Sequence, residues 1–374
     1  HTPVSEDPVA DVIVIGAGII GAACAQALAR RGLRVLVLDA GLPGATAAGM
    51  GHLLVLDDNP AELALSQYSL QRWRETAPAM PEDCAYRRNG TLWLAANAEE
   101  MAIAHSKYLN LQAQGVPCEL IGRAELRTRE PALREGLEGG LLINGDGILY
   151  APATARWMLE NPSIRQRQAR VVEVDGSRVR LDDGHWLSAE AVVLANGIQA
   201  NELCPELPIE PKKGHLLITD RYPGTVTHTL VELGYVTSAH NASGPSTACN
   251  IQPRPTGQLF IGASRQFGTT DPQVEGWMLA KMLKRATEYM PGLAQLNAIR
   301  AWTGFRAASP DGMPLVGQHP QHKGLWLAVG HEGLGVTTAP GTADLLVAQL
   351  FDEPPPLAPQ PYLPQRFLGE PVYA

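Results

Sequence analysis

Cysteine is scarce in this chain: five residues in 374, an odd number, with no pair in C-x-x-C spacing. Count and spacing fit a reduced compartment and argue against a zinc or iron–sulfur site built by this chain alone. Cys24, Cys84, Cys118, Cys204 and Cys249 read as small buried apolar residues. No metal is expected: His319 and His322 stand at i, i+3, but nearby prolines and glycine point to a surface loop. Basic residues are outnumbered, 30 Lys and Arg against 38 Asp and Glu, and the net charge of −8 leaves no footprint for nucleic acid. No uninterrupted apolar run is long enough to span a membrane. The apolar stretch near the N-terminus follows Glu6, Asp7 and Asp11 rather than a basic cluster, unlike a signal peptide. Internal repeats are missing too. The length suits about two domains with sizeable cores.

What is present starts with Asp11 to Ala40, DVIVIGAGIIGAACAQALARRGLRVLVLDA. Val12 to Ile15 form a short β-branched run, as a buried parallel strand should. Gly16, Ala17, Gly18, Ile19, Ile20 and Gly21 then fill G-x-G-x-x-G. Gly16 permits a tight turn, Gly18 lets a pyrophosphate approach the backbone, and Gly21 lets the following helix pack close. A helix through Ala22 to Arg31 stops near Gly32, and a second strand, Leu33 to Leu38, ends at Asp39. An acid there suits a ribose hydroxyl and repels a 2′-phosphate, so an adenine dinucleotide other than NADP is expected. The competing reading is an ordinary βαβ unit whose glycines serve packing only.

The rest of the chain is interleaved. Gly41 to Leu56 is a small-residue loop able to run close to a flat ligand. Ala61 to Arg74, Glu99 to Gln114, Arg123 to Glu130 and Trp277 to Tyr289 read as helices. RRNGTLWLAA from Arg87 reads as a hairpin turning at Asn89-Gly90. Arg167 to Leu187 reads as a meander, Ala189 to Gly197 as a buried strand, and Leu207 to Asp220 and Gln258 to Ser264 as strands of a second sheet. The proline-rich tail from Asp352 reads as extended on the surface. The implied fold class is α/β: a Rossmann-like dinucleotide domain from 1–80, 150–205 and 300–374, interleaved with an α+β substrate domain from 81–149 and 206–299 on a mainly antiparallel sheet. NAD dehydrogenases more often keep the dinucleotide domain continuous, so the interleaving favours a flavoprotein.

The C-terminal third carries a second constellation. LWLAVGHEGLG is a strand running into a glycine loop, and Val336 to Leu350 is the next helix, with Pro340 in its first turn. A helix start at Gly333 to Thr337 directs amide hydrogens and a positive dipole end at whatever lies over it, which suits the negative charge of a reduced flavin. In WTGFRAASPDGMPLVG, Arg306 offers a planar fork for a carboxylate. The alternative is a structural ion pair with Asp311.

Together, VIVIGAGIIGAACAQALARRGLRVLVLD, VVLANG, GFRAASPDGMPLVG and AVGHEGLGVTTAPGTADLLV resemble the flavin-dependent D-amino acid oxidase family, which includes glycine oxidases, sarcosine oxidases and D-amino acid dehydrogenases. The resemblance implies FAD held by Gly16, Ala17, Gly18, Ile19, Ile20, Gly21, Asp39 and Ala40. It extends to Ala47, Ala48, Gly49, Met50, Gly51 and His52, to Val172, Ala195, Asn196 and Gly197, and to Gly304, Arg306, Gly330, His331, Gly333, Leu334, Gly335, Val336 and Thr337. It makes Arg306 the carboxylate anchor, puts Gln252 and Tyr235 in the substrate region, and leaves His52 and His331 to tune the flavin or relay a proton, or to be structural. The loop GATAAGMGHLLV, with IEPKKGHLLITD and CNIQPRPTGQLFIGAS, is similar to catalytic subunits of bacterial D-hydroxyproline dehydrogenases.

The implied reaction is oxidation of the Cα–N bond of a D-amino or cyclic imino acid, D-hydroxyproline-like, with hydride passing to flavin N5 and an imino acid leaving. Orientation and electrostatics carry it, without an essential base. Two readings compete: a glycine or sarcosine-type oxidase using oxygen, and a flavin electron-relay subunit of a hetero-oligomer. A dehydrogenase would pass its electrons to partner subunits or a quinone. The expected location is cytoplasmic, with any membrane link made through partners.

Overall fold

The computed structural model describes residues 8–42, 44–234 and 244–373. A six-stranded sheet runs in the order Leu315–Gln318, Leu325–Val329, Ala191–Leu194, Val12–Ile15, Val35–Asp39, Ile164–Gln168. Its pairs are parallel except the first, which is antiparallel. Side chains alternate between two cores, as a sheet covered on both faces requires. Val12, Val14, Val35 and Val37 face helices Ile19–Arg30 and Gly335–Leu350. Ile13, Ile15, Leu36 and Leu38 face the opposite core, with Val179 and Leu181 of the meander.

A second, eight-stranded sheet runs Ala298–Ala308, Glu210–Thr219, Leu259–Phe267, Ser246–Pro253, Thr229–Glu232, Thr91–Ala95, Gly139–Ile143, Cys118–Gly122. It is antiparallel except where Thr229–Glu232 meets Thr91–Ala95. Helix Gly276–Tyr289 covers one face through Met282, Ala286 and Tyr289. The fold is thus a Rossmann-like α/β unit joined to a second, mainly antiparallel unit, as the sequence implies.

Four local expectations differ from the structure. Gly90 does turn, at φ +76°, but no local hairpin forms. Thr91–Ala95 pairs instead with Gly139–Ile143 and Thr229–Glu232, because a turn signal cannot choose among distant strands. Residue 300 is no boundary: Ala298–Ala308 is one continuous strand paired along Glu210–Thr219. The tail is exposed over Asp352 to Pro356, as expected, but then docks, since Tyr362 is buried and its hydroxyl donates to Ala61 O at 2.5 Å. His319 is buried rather than in a surface loop.

Pro340 lies inside helix Gly335–Leu350, beyond the first turn, and cannot donate to the carbonyl of Val336 four residues back. Trp73, from helix Pro60–Thr76, fills that vacancy. Its indole Nε1 donates to Val336 O and Thr337 O, both at 3.1 Å, while Ser69 Oγ accepts from Gly341 N at 3.1 Å. Trp73→Phe keeps most of the ring and removes that donor. It is expected to destabilise by about 1–3 kcal/mol, the cost of a buried carbonyl left bare. A thermal melt of the cofactor-loaded protein checks this, and an unchanged Tm would remove Trp73 from the repair.

Candidate active site

Between the two sheets lies a cavity of about 1320 Å³. Ligand pockets usually measure about 300–1,000 Å³, so this one has room for a dinucleotide and a small substrate together. One end is built by the N-terminal fingerprint. A Cβ on Gly16 would fall 2.4 Å from Ala195 O, and one on Gly21 would fall 1.9 Å from Gly16 O, so both glycines are required by backbone approach. Gly21 therefore seats the helix and does not line the cavity. Asp39 ends its strand with Oδ1 accepting from Ala17 N at 3.3 Å and Oδ2 from Gly41 N at 3.2 Å. Thr46, on the short helix Ala45–Ala48, accepts from Ile19 N at 2.9 Å and closes over Gly18.

The cavity then passes Ala195, Asn196 and Gly197. Among the described residues Asn196 Oδ1 is buried without a partner, as expected of an acceptor shaped for a ligand. These features fit FAD: bare backbone where phosphates approach, a carboxylate at the ribose position and an orphan polar atom along the path.

At the other end, Ala47 to His52 runs against the second sheet. A Cβ on Gly304 would fall 2.3 Å from Ala48 Cβ, and Trp302 Nε1 donates to Ala48 O at 3.1 Å. The loop is pinned from behind by Thr337, whose hydroxyl donates to His52 O at 3.0 Å; Thr337 itself does not line the cavity. Gly330, His331, Gly333, Leu334, Gly335 and Val336 do, so the start of helix Gly335–Leu350 faces the cavity. Both histidines line the cavity and are neutral near pH 7. Burial lowers His52 to about 4 and His331 to about 3. His52 Nε2 lies 2.8 Å from Thr91 Oγ1 and His331 Nε2 lies 2.9 Å from Thr342 Oγ1.

Arg306 sits where the second sheet meets this loop. Its strand partner is Lys212, and its guanidinium reaches back across the neighbouring strand to donate to Ser264 O at 2.7 Å. Gly214 provides the slot: a Cβ there would lie 2.2 Å from Arg306 Nη2. The expected alternative, an ion pair with Asp311, does not form, because Asp311 is held by Arg366 at 2.8 Å. Among the described residues Arg306 has no carboxylate partner. Lys212 pairs with Glu332, which adopts φ +53° at the turn before the helix and links the two sheets across the cavity. Burial lowers the Lys212 ammonium to about 8, against the pull of Glu332. Sequence reasoning missed Thr46, Lys212, Gly214 and Glu332, because each gains its role from a partner distant in the chain.

Two further expected residues fall elsewhere, and a third is not described. Val172 is turned outward and Val171 lines the cavity instead, the flip of face that a one-residue slip along a strand produces. Gln252 is fully buried beyond the cavity wall, where its Oε1 accepts from Arg254 Nη1 at 2.6 Å. Tyr235 lies outside the described residues. Away from the cavity, ligand-type atoms of Cys204, Glu206 and His319 come within 4.8 Å of one another. His319 Nδ1 accepts from Gln321 N at 3.1 Å, so the proton is on Nε2, which donates to Glu206 Oε1 at 2.7 Å. That is a hydrogen-bonded clasp. The five cysteines are free and buried.

The family model described as FAD dependent oxidoreductase matches residues 11–349. A glycine oxidase of Geobacillus kaustophilus (strain HTA426) is 31% identical over 364 residues, covering 91% of this chain and 93% of that protein. The hydrogen cyanide synthase subunit HcnC of Pseudomonas aeruginosa is 26% identical, covering 97% of each. The crystal structure of the glycine oxidase from Geobacillus kaustophilus matches with a TM-score of 0.85 at 26% identity, covering 95% of this chain and 98% of that one. The L-proline dehydrogenase structure from P. horikoshii, with a TM-score of 0.86 at 21% identity over 97% of this chain and 99% of that one, shares the fold. With the cavity that Asp39, the glycine turns and the Gly335 helix enclose, these likenesses make the chain a glycine-oxidase-like member of the FAD-dependent oxidoreductase family, an enzyme of the amino acid oxidase and dehydrogenase kind whose cofactor is FAD.

Proposed function

We propose that this enzyme oxidises the Cα–N bond of a D-amino or cyclic imino acid, D-hydroxyproline-like, to the imino acid. The observation that carries the reading is Arg306: a guanidinium held over Gly214 inside the cavity, without a carboxylate among the described residues to neutralise it. Substrate carboxylate would supply the missing charge by two parallel bonds. Gly16, Gly18, Thr46 and Asp39 would hold the dinucleotide end of FAD, and Ala48, His52 and Gly333 to Val336 would enclose the ring end. FAD, when bound, supplies the acceptor for the two electrons and the hydrogen leaving Cα. Arg306 would fix the substrate carboxylate beside that acceptor, and Lys212, its charge met by Glu332, would hold the wall at its side. Holding reactants in this way can supply about 7–11 kcal/mol of a barrier. His52 and His331, being neutral, would wall the ring without serving as acids near pH 7.

A glycine or sarcosine-type oxidase is the second reading, favoured by the 31% identity to a glycine oxidase. Electrons would leave to oxygen in that case, and to partner subunits or a quinone in the first. The name of HcnC, a subunit, supports a life within a complex. No described helix is long and apolar enough to cross a membrane. The location we propose is cytoplasmic, with any membrane link made through partners. Anaerobic bleaching of the purified yellow protein decides among substrates. D-hydroxyproline and D-proline are expected to reduce the flavin faster than glycine or sarcosine, with slow reoxidation in air. Fastest reduction by glycine would transfer the enzyme to the second reading, and an unbleached flavin throughout would leave only electron relay.

A further inference from the structure

On the same sheet as the arginine, the cavity wall carries a polar group that the chemistry above does not use. Asn250 stands on strand Ser246–Pro253, in register with Gly262 on Leu259–Phe267. It lines the cavity, and its Oδ1 is buried with no hydrogen-bond partner among the described residues. Such a group is costly to leave unpaired, which marks it as a place where a ligand completes the wall. The groups around its strand partner Gly262 are apolar. Leu216 Cδ2 would lie 3.1 Å and Met50 Sδ 3.5 Å from a Cβ on Gly262, and Val231 pairs with Asn250 on the other side. A neutral amide in an apolar frame suits carbon atoms bearing one neutral polar group, and it disfavours a second charge.

Position fixes which part of a substrate it would meet. Arg306 is anchored on Ser264, one strand over from Asn250 and two residues along from Gly262. The two backbone anchors are thus one strand and two residues apart, under about 10 Å. A small ring carrying a carboxylate at one edge and a hydroxyl at the far edge spans that gap through one hydrogen bond at each end. We propose that Asn250 is the specificity-determining contact for a substrate hydroxyl distal to the carboxylate, donating through its amide NH₂ or accepting through Oδ1. This rests on the amino and imino acid reading above and narrows it to hydroxylated rings.

The test uses the FAD-loaded enzyme and Asn250→Ala, with two readouts. In anaerobic flavin reduction, wild type should favour D-hydroxyproline over D-proline in limiting rate per substrate concentration. Asn250→Ala should shrink that ratio by roughly 5- to 100-fold while D-proline reduction stays within about twofold. In calorimetric titration, the nitrogen-free analogue tetrahydrofuran-2-carboxylate and its 4-hydroxy derivative replace the substrates. Wild type should bind the hydroxylated one more tightly, and the variant should bind the two alike. An unchanged ratio, or an equal fall for both substrates, overturns the role of Asn250. Failure of both ring acids to bleach wild type overturns the ring-substrate reading instead, and the analogue pair then still decides Asn250: equal binding by wild type refutes it.

Discussion

Arg306→Leu should retain bound FAD and lose oxidation of the amino acid. Removing one partner of a desolvated charge pair costs about 2–5 kcal/mol, which is roughly 30-fold to several thousand-fold in kcat/KM. The loss should be confined to chemistry. In the structure Arg306 holds only the carbonyl of Ser264, and no carboxylate among the described residues is left bare by its removal. The sheet pairing of its backbone with Lys212 is untouched by the side chain. Arg306→Lys should recover part of the rate, because an ammonium attracts a carboxylate but cannot make the two parallel bonds. Flavin reduction under anaerobic conditions separates these cases, with FAD content measured after denaturation. A leucine variant reduced as fast as wild type at low substrate would take Arg306 out of the site.

How much of this was legible beforehand depends on the distance over which each feature is determined. The fingerprint at Gly16 to Gly21 could be read because its spacing is local: the clash at Gly21 is with Gly16, five residues away, whereas what Gly16 itself approaches, Ala195 O, lies far along the chain. Asp39 could be read for the same reason, since its strand lies beside the turn it serves. Arg306 could be singled out as a residue type, but what aims it could not. Gly214 and Ser264 come from strands brought alongside by antiparallel pairing, and neither carries a local signal. Val172 shows the same limit in another form: the strand was legible, its register was not, and register decides face. Gln252 and Asn250 stand two apart on one strand, yet only Asn250 reaches the cavity, because Arg254 bonds Gln252 together with Met50 O and Leu149 O beyond its wall. Pro340 looked harmless on the assumption that it fell in a first turn; the indole of Trp73, more than two hundred residues earlier, answers for it.

Gly214→Ala should then do what a distant reading of the sequence would not foresee: reduce activity while leaving the fold at least as stable. Gly214 sits in the regular strand Glu210–Thr219, paired with Gly304, and its φ does not call for glycine. Alanine in a strand relieves the entropic burden of glycine, worth about 0.5–1 kcal/mol. The added Cβ meets Arg306 Nη2 at 2.2 Å and Cζ at 3.2 Å, and the next atom is Ser264 O at 3.3 Å. The end of a flexible side chain yields before a backbone does, so the guanidinium leaves its slot and the sheet stays. A misplacement of about 1 Å can lower a rate about 10²-fold, and a fall of that order in kcat/KM is expected, with FAD occupancy and Tm equal to or above wild type. Arg306→Leu should add little to Gly214→Ala in the double variant, because both remove the same anchor. Additive losses in the double variant, or full activity in Gly214→Ala alone, would show that the slot does not position the arginine.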